Sequence, residues 1–216
     1  MPLPFGDRRE AGRILADGLL RFRGQPGAIV LALPRGGVPV GYEVALALGV
    51  PLDVFVVRKL GVPGEEELAM GAVASGGARV LNPEVLQGFS ISDAELADAV
   101  AREEAEIQRR ERLYRPGRGP LDVAGSAVIL VDDGLATGAT MRAGVAALRK
   151  LGASQVIAAA PVGAASTAQQ IAAEADEIVC PFRPKSFRAL GEWYLDFRQI
   201  TDDEVRRLLD QAAARF

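Results

Sequence analysis

The feature that most constrains the fold is a repeated alternation of short apolar runs with segments of helical periodicity. Two apolar runs, residues 29–33 and 52–57, flank a helical segment at 38–48. That segment has Pro39 near its first turn and stops at Gly49, which is the usual punctuation of a helix. Strand, helix and strand in so short a stretch form a βαβ unit, and this unit requires a parallel sheet with helices on its faces.

The second half of the chain repeats this alternation. It predicts a strand at 127–131, a helix at 141–151, a strand at 156–162, a short helix at 166–173, a short strand at 177–180 and a terminal helix that Thr201 and Glu204 open as a capping box. A chain of 216 residues is long enough for one self-sufficient core. We therefore predict a single domain over residues 1–216 of the α/β class, with a doubly wound, mostly parallel central sheet flanked by helices.

Residues 58–82 interrupt the alternation and are predicted to form a lid. The stretch 58–71 is charged and interrupted by glycines, which is typical of a loop that orders on demand. Residues 72–74 and 79–81 flank Ser75-Gly76-Gly77, and this pattern predicts a hairpin.

A helical insertion is predicted over residues 83–120. Ser92 and Glu95 form a capping-box pattern that opens a long charged helix ending near Arg115. Its apolar stripe is thin, so two interpretations stay open: a solvated surface helix, which the pattern favours, and a helix that faces a partner.

The absence of histidine excludes the commonest catalytic arrangements. Without histidine there is no His-based acid–base group and no Ser-His-Asp or Cys-His pair. Cys180 is the only cysteine, which also excludes an internal disulfide and a zinc cluster. A metal ion would have to bind oxygen ligands, which favours Mg²⁺, Mn²⁺ or Ca²⁺.

Charge and hydropathy predict a cytoplasmic protein without nucleic-acid or membrane partners. The net charge is −3 and no long block of one sign occurs, which disfavours a nucleic-acid or membrane surface. The longest nearly apolar run, residues 156–165, contains Pro161 and is too short to span a bilayer. We expect small-molecule ligands.

The most informative stretch is AVILVDDGLATGATM at residues 127–141. A buried strand delivers Asp132 and Asp133 to its carboxyl end, which is the edge where open parallel sheets bind ligands. The turn that follows carries glycines and threonines into a helix N-terminus, and such a turn forms a cup of N–H groups suited to phosphate. The alternative is an acidic turn before an ordinary helix cap. The pattern as a whole favours a ligand with a phosphate and either vicinal hydroxyls or magnesium, such as a sugar phosphate.

Residues 128–140 resemble the binding motif for 5-phosphoribosyl 1-pyrophosphate (PRPP) of the type I phosphoribosyltransferases, with four apolar residues, two acids and a Thr-Gly loop. The resemblance implies that Asp132 and Asp133 hold the ribose hydroxyls and Mg²⁺. It also implies that the loop binds the 5-phosphate through Gly134, Leu135, Ala136, Thr137, Gly138, Ala139 and Thr140.

Two further segments extend the resemblance. LPRGGVP at 33–39 resembles the family's pyrophosphate loop, which implies that Arg35 meets the pyrophosphate while Gly36 and Gly37 let backbone amides approach it. VVRKLG at 56–61 resembles a strand with a basic tip, which implies that Arg58 and Lys59 contact phosphates. The implied catalytic residues are Arg35, Lys59, Asp132 and Asp133.

Two regions bear on the acceptor. Ala136 stands where the 6-oxopurine enzymes of the family carry a third acid. This difference argues against hypoxanthine or guanine as the acceptor base. The segment 181–216 is predicted to hold the hood over the base and a C-terminal helix. Phe187, Trp193 and Tyr194 are candidates for a stacking plane, with core packing as the alternative interpretation.

The resemblance implies a Mg²⁺-dependent enzyme, expected as a homodimer, that transfers ribose 5-phosphate from PRPP to a nitrogenous base or related acceptor and releases pyrophosphate. Two alternatives remain open. One is a non-enzymatic regulator that senses PRPP or a nucleotide on the same fold, and the other is a sugar-phosphate phosphohydrolase.

Overall fold

The computed structural model describes residues 5–215, so residues 1–4 and Phe216 of the predicted single domain lie outside the described residues. In chain order the elements are α1 (Arg8–Asp17), β1 (Ala28–Ala32), α2 (Gly37–Leu48), β2 (Leu52–Val54), β3 (Val57–Val62), β4 (Glu65–Ala74), β5 (Ala78–Leu81), α3 (Pro83–Gly88), α4 (Asp93–Tyr114), β6 (Ala127–Val131), α5 (Ala139–Lys150), β7 (Gln155–Ala159), α6 (Ala165–Ala172), β8 (Glu177–Val179) and α7 (Asp202–Ala213).

A five-stranded sheet in the order β2-β1-β6-β7-β8 forms the centre of the molecule, and all of its neighbouring strands are parallel. Alternate residues of β6 enter two separate cores. Ile129 packs with α1, α2 and α7 on one face, whereas Leu130 packs with α5 and α6 on the other. Helices thus cover both faces, which explains why every residue of β6 is buried. The predicted α/β class with a mostly parallel sheet is confirmed.

The prediction of a loop over residues 58–71 is wrong. The chain leaves the parallel sheet after Val54, and β3, β4 and β5 form a separate antiparallel sheet. The turn between β3 and β4 holds Gly64 at φ +81°, and the register shifts on both sides of Gly61. The hairpin through residues 75–77 is confirmed, since β4 and β5 pair around it.

Helix α4 covers this second sheet. Ser92 caps it as predicted: its side chain accepts from the Glu95 amide, and the Glu95 carboxylate accepts from the Ser92 amide at 2.9 Å. The buried Val100 and Ile107 pack with the buried side chains of β3 and β4. The apolar stripe of α4 is therefore used inside the domain, and neither a fully solvated helix nor a partner-facing one describes it.

Within residues 5–215, no helix combines the length and the apolar character needed to cross a membrane.

Candidate active site

The tips of β1 and β6 bring two of the three predicted segments together. The amide of Leu33 donates to the carbonyl of Val131 at 2.9 Å, so the 33–39 loop lies beside the acid pair. A Cβ on Gly36 would clash with the carboxylate of Asp133, and one on Gly37 would lie 2.7 Å from the Val131 carbonyl oxygen. The two glycines are thus required because any side chain there would collide with the strand that carries the acid pair. The sequence predicts a different role for them, which is to let a ligand approach the backbone amides.

Residues 134–140 form a cradle at the N-terminus of α5. Leu135 fixes the loop, because its amide donates to the Val162 carbonyl and its own carbonyl accepts from the Ala164 amide, both at 2.9 Å. The Thr167 hydroxyl donates to the Ala136 carbonyl at 2.7 Å. Among the described residues, no acceptor pairs with the backbone amides of Ala136, Thr137, Gly138, Thr140 and Met141. An array of free amides at a helix N-terminus is an anion site.

Asp133 carries a contact that sequence analysis did not anticipate. Its Oδ2 accepts from Nε of Arg8 at 2.7 Å, and the two side chains are only 12% and 8% exposed. Arg8 opens α1, far from Asp133 in the sequence, so no local pattern points to the pair. One of the two acids that were predicted to hold ribose hydroxyls and Mg²⁺ is thus already paired with a cation of the protein.

Asp132 is the acid that pairs with no cation among residues 5–215. It is partly buried, and its Oδ1 accepts from the Asp133 amide at 2.9 Å. Burial, reinforced by the charge of Asp133, raises the pKa of Asp132 well above its usual value. A carboxylate held at such a cost is typical of a functional site.

We expect Asp132→Asn to stabilise the free protein at neutral pH. The folded state raises the pKa of Asp132, so its contribution to stability is fully present below the unfolded value of about 3.9. That contribution is lost as the pH rises through the folded pKa. Asparagine keeps the acceptor for the Asp133 amide and has no charge to lose.

Thermal unfolding in metal-free buffer at pH 4.5 and pH 7.5 checks this expectation. The variant should show a smaller loss of Tm between the two pH values than the unchanged protein. A lower Tm for the variant at pH 7.5 would contradict the inferred cost of ionising Asp132.

Two residues of the predicted hood, Leu190 and Tyr194, contact the chain at the acid pair. The Tyr194 hydroxyl donates to the Asp133 carbonyl at 2.5 Å, and Leu190 packs so closely on Gly134 that a Cβ there would clash with it. Tyr194 is buried, and burial raises its pKa. For this residue the structure therefore favours core packing over a stacking plane for the base. Phe187 and Trp193 are half-buried and stack on each other, with ring centroids 6.5 Å apart.

Of the three predicted basic residues, only Arg35 lies at this edge of the sheet. It precedes Gly36 after a cis Pro34–Arg35 peptide bond, is partly exposed, and its Nη1 lies 3.8 Å from Oδ1 of Asp202 at the start of α7. Among residues 5–215, the Arg35 guanidinium therefore has only this long ion pair.

The placement of Arg58 and Lys59 at the tip of a parallel strand is wrong, because both belong to antiparallel β3. Nε of Arg58 donates to Glu103 on α4 at 2.8 Å. Both residues line a cleft of about 600 Å³ whose wall also carries acids of α4 and does not include the 134–140 cradle. Among the described residues, no hydrogen bond or ion pair links either residue to the acid pair.

The donor set fits a metal ion that arrives with a phosphate ligand. Among the described residues, no group of three or more acidic, histidine or cysteine side chains could hold a metal. Mg²⁺ characteristically binds through one or two carboxylates together with substrate phosphates and water. Asp132 is the carboxylate available for that role.

Comparisons with known proteins agree with this geometry. A model of the phosphoribosyl transferase domain family matches residues 9–190. Two Mycobacterium tuberculosis proteins, each provisionally named a phosphoribosyl transferase, are 47% identical over 213 residues. The match covers 98% of this chain and 48% of each relative, so the chain spans about half the length of these curated relatives.

Solved structures resemble the fold. TT1426 from Thermus thermophilus matches with a TM-score of 0.86 at 41% identity, over 97% of this chain and 99% of that chain. AQ2163 from Aquifex aeolicus matches with a TM-score of 0.50 at 12% identity, over 85% of this chain and 78% of that chain, which is a likeness of fold alone.

Proposed function

The chain belongs to the phosphoribosyl transferase family, and from that premise we propose that it binds PRPP with Mg²⁺ and transfers ribose 5-phosphate to a nitrogenous base or related acceptor. The observation that carries this proposal is the array of backbone amides without an acceptor among the described residues, in the loop that follows the acid pair. They belong to Ala136, Thr137, Gly138, Thr140 and Met141. A phosphate in the cradle leaves an attached sugar beside Asp132, within reach of a carboxylate that pairs with no cation of residues 5–215.

Each part of PRPP has a proposed contact. The 5-phosphate accepts from the amides of the cradle, where the N-terminus of α5 also favours negative charge. The ribose hydroxyls donate to Asp132 and to the Asp133 oxygen that Arg8 does not use. The pyrophosphate lies against the 35–37 loop, where Arg35 supplies the positive charge.

The reaction breaks the bond between the ribose anomeric carbon and the pyrophosphate oxygen, and it forms a bond from that carbon to the acceptor. The sugar gains oxocarbenium character in the transition state, as in glycoside cleavage. Arg35 stabilises the charge that develops on the departing pyrophosphate, and Mg²⁺, when bound, neutralises the same charge. Asp132 and the cradle hold the ribose in place, so that the departing group and the acceptor stay on opposite sides of it.

Water must be excluded, because hydrolysis of PRPP competes with transfer. The hood residues Leu190 and Tyr194 pack on Gly134 and Asp133, so they close one side of the site. Arg58 and Lys59, which line the separate cleft, have no part in this proposal. The contact of Lys59 with pyrophosphate that the family resemblance implies stays a prediction.

The Arg8–Asp133 pair favours a second candidate function, a PRPP-binding regulator that does not catalyse transfer. In that case the acid pair serves recognition only, with one carboxylate committed to the protein's own cation. This candidate predicts ligand binding without turnover.

Pyrophosphate release from Mg–PRPP, measured with and without a panel of purine, pyrimidine and pyridine bases, tests the proposal. We expect release that depends on one class of base. Asp132→Asn should reduce it at least about tenfold, which corresponds to the loss of about 1.4 kcal/mol of transition-state stabilisation. Arg13→Gln is the matched control, since Arg13 is an exposed residue of α1 that pairs with Glu43.

The other outcomes separate the alternatives. Release that does not depend on any base indicates a phosphohydrolase. Calorimetric binding of Mg–PRPP without release under any condition indicates the regulator. The absence of both binding and release would refute the proposal.

A further inference from the structure

Arg8 joins three parts of the molecule at one guanidinium group. Nε donates to Oδ2 of Asp133 at 2.7 Å, and Nη1 donates to the Arg198 carbonyl at 3.0 Å. The central carbon of the guanidinium lies 4.0 Å from the ring centroid of Phe197, which is a cation–π contact. Helix α1, the acid pair and residues 197–198 of the predicted hood therefore share one buried cation.

The same region of the chain is tied to the site by a second route. We call residues 194–198 the hood segment. The Tyr194 hydroxyl donates to the Asp133 carbonyl. The amides of Leu195 and Asp196 donate to the carbonyls of Phe5 and Gly6 at 2.8 and 2.9 Å. The hood segment is thus attached at both ends to the residues that surround Asp133.

Other arginines of α1 do not share this environment. Arg8 is 7% exposed, whereas the side chains of Arg9 and Arg13 are 48% and 58% exposed, and both face Glu43. Arg8 alone among these three contacts an acid of the pair. Its burial is difficult to explain by the stability of α1, because an exposed pair of the kind that Arg13 makes would serve the helix equally well.

We propose that Arg8 is a positioning residue that couples occupancy of the acid pair to the placement of the hood segment. This inference rests on the proposed function, since it takes a ribose hydroxyl as the group that occupies the pair. A hydroxyl that donates to Asp133 shares the negative charge that now pairs with Arg8 alone. The attraction between Asp133 and the Arg8 guanidinium then becomes weaker, and the guanidinium shifts. Because it also contacts the Arg198 carbonyl and the Phe197 ring, this shift changes the placement of the hood segment.

The test uses Arg8→Lys and Tyr194→Phe, with Arg13→Lys as the matched control. Lysine keeps a positive charge for Asp133, but it lacks the planar group that reaches the Arg198 carbonyl and stacks on Phe197. Tyr194→Phe removes only the hydrogen bond to the Asp133 carbonyl. Mg–PRPP is the ligand, and calorimetry establishes its Kd for each protein.

Two measurements report the placement of the hood segment. Hydrogen exchange reports the amides of Leu195 and Asp196, and the emission of Trp193 reports the hood, since it is the only tryptophan. In the unchanged protein we expect saturating Mg–PRPP to slow exchange of these amides at least about tenfold and to change the emission.

For Arg8→Lys we expect faster exchange of both amides in the free protein, loss of most of the ligand response and a Kd raised at least about tenfold. Tyr194→Phe should move in the same direction, and Arg13→Lys should match the unchanged protein. A full ligand response in folded Arg8→Lys overturns the inference, as does a missing response in unchanged protein that binds Mg–PRPP. If the unchanged protein binds no Mg–PRPP, the proposed function has failed and the inference falls with it.

Discussion

Asp133→Asn is expected to lower the free energy of unfolding by about 3–5 kcal/mol, since breaking one side of a buried ion pair leaves an uncompensated charge. The charge left behind is that of Arg8, whose side chain is only 8% exposed. Asparagine is nearly isosteric with aspartate and keeps an oxygen acceptor, so the loss arises from charge rather than from a cavity. Urea denaturation at neutral pH measures it.

The matched control is Asp203→Asn. Asp203 pairs with Arg206 at 3.7 Å, but its side chain is 91% exposed, and exposed pairs contribute only about 0–1 kcal/mol. A loss for Asp133→Asn that stays within about 1 kcal/mol of the control would show that the buried pair is not a determinant of stability. Adding Arg8→Met to Asp133→Asn should recover part of the loss, because it removes the unpaired charge.

Gly138→Ala is expected to weaken both the fold and the binding of ribose 5-phosphate. Gly138 has φ +71°, and an added Cβ would lie 2.5 Å from Cγ2 of Thr167. The left-handed conformation alone costs alanine about 1–2 kcal/mol, and the clash adds about 1–3 kcal/mol. Because Thr167 holds the Ala136 carbonyl, displacing it also moves the free amides of the cradle.

Gly125→Ala separates the two costs. Gly125 has φ +70° and no atom within 4 Å of an added Cβ, so it carries the conformational cost without the clash. We expect calorimetry to show at least about tenfold weaker binding of ribose 5-phosphate for Gly138→Ala and unchanged binding for Gly125→Ala. Equal binding by the two variants would argue against residues 134–140 as the phosphate site.

The parts of the structure that the sequence predicted well are those that short-range patterns determine. The strand β6, the turn after it and the start of α5 lie within fifteen residues, and their apolar run, acids and glycines all point to the same arrangement. The parallel sheet follows from the same kind of pattern, because each strand and its crossover helix are adjacent in the sequence.

The errors have identifiable physical causes. The run 52–57 was interpreted as one strand, although the chain changes sheets between Val54 and Val57, so Arg58 and Lys59 belong to the antiparallel sheet. The strands within residues 58–71 were not predicted, because the charged residues and the irregular pairing around Gly61 interrupt the alternating pattern of a regular strand.

Arg8 could not be found from sequence patterns at all. It is separated from Asp133 by 125 positions, and a pairing of that range leaves no local periodicity to recognise. Such an ion pair can be recognised only in the folded structure, where the start of α1 lies beside the carboxyl end of β6.

Arg8 precedes every strand of the parallel sheet in the sequence, and the hood segment follows all of them. A nascent polypeptide that has emerged through β8 already contains every strand of the parallel sheet. It still lacks Tyr194 and Arg198, the partners that enclose Asp133. The acid pair of such a chain lacks these two contacts, so the proposed ligand site is completed only after every strand of the parallel sheet has been made.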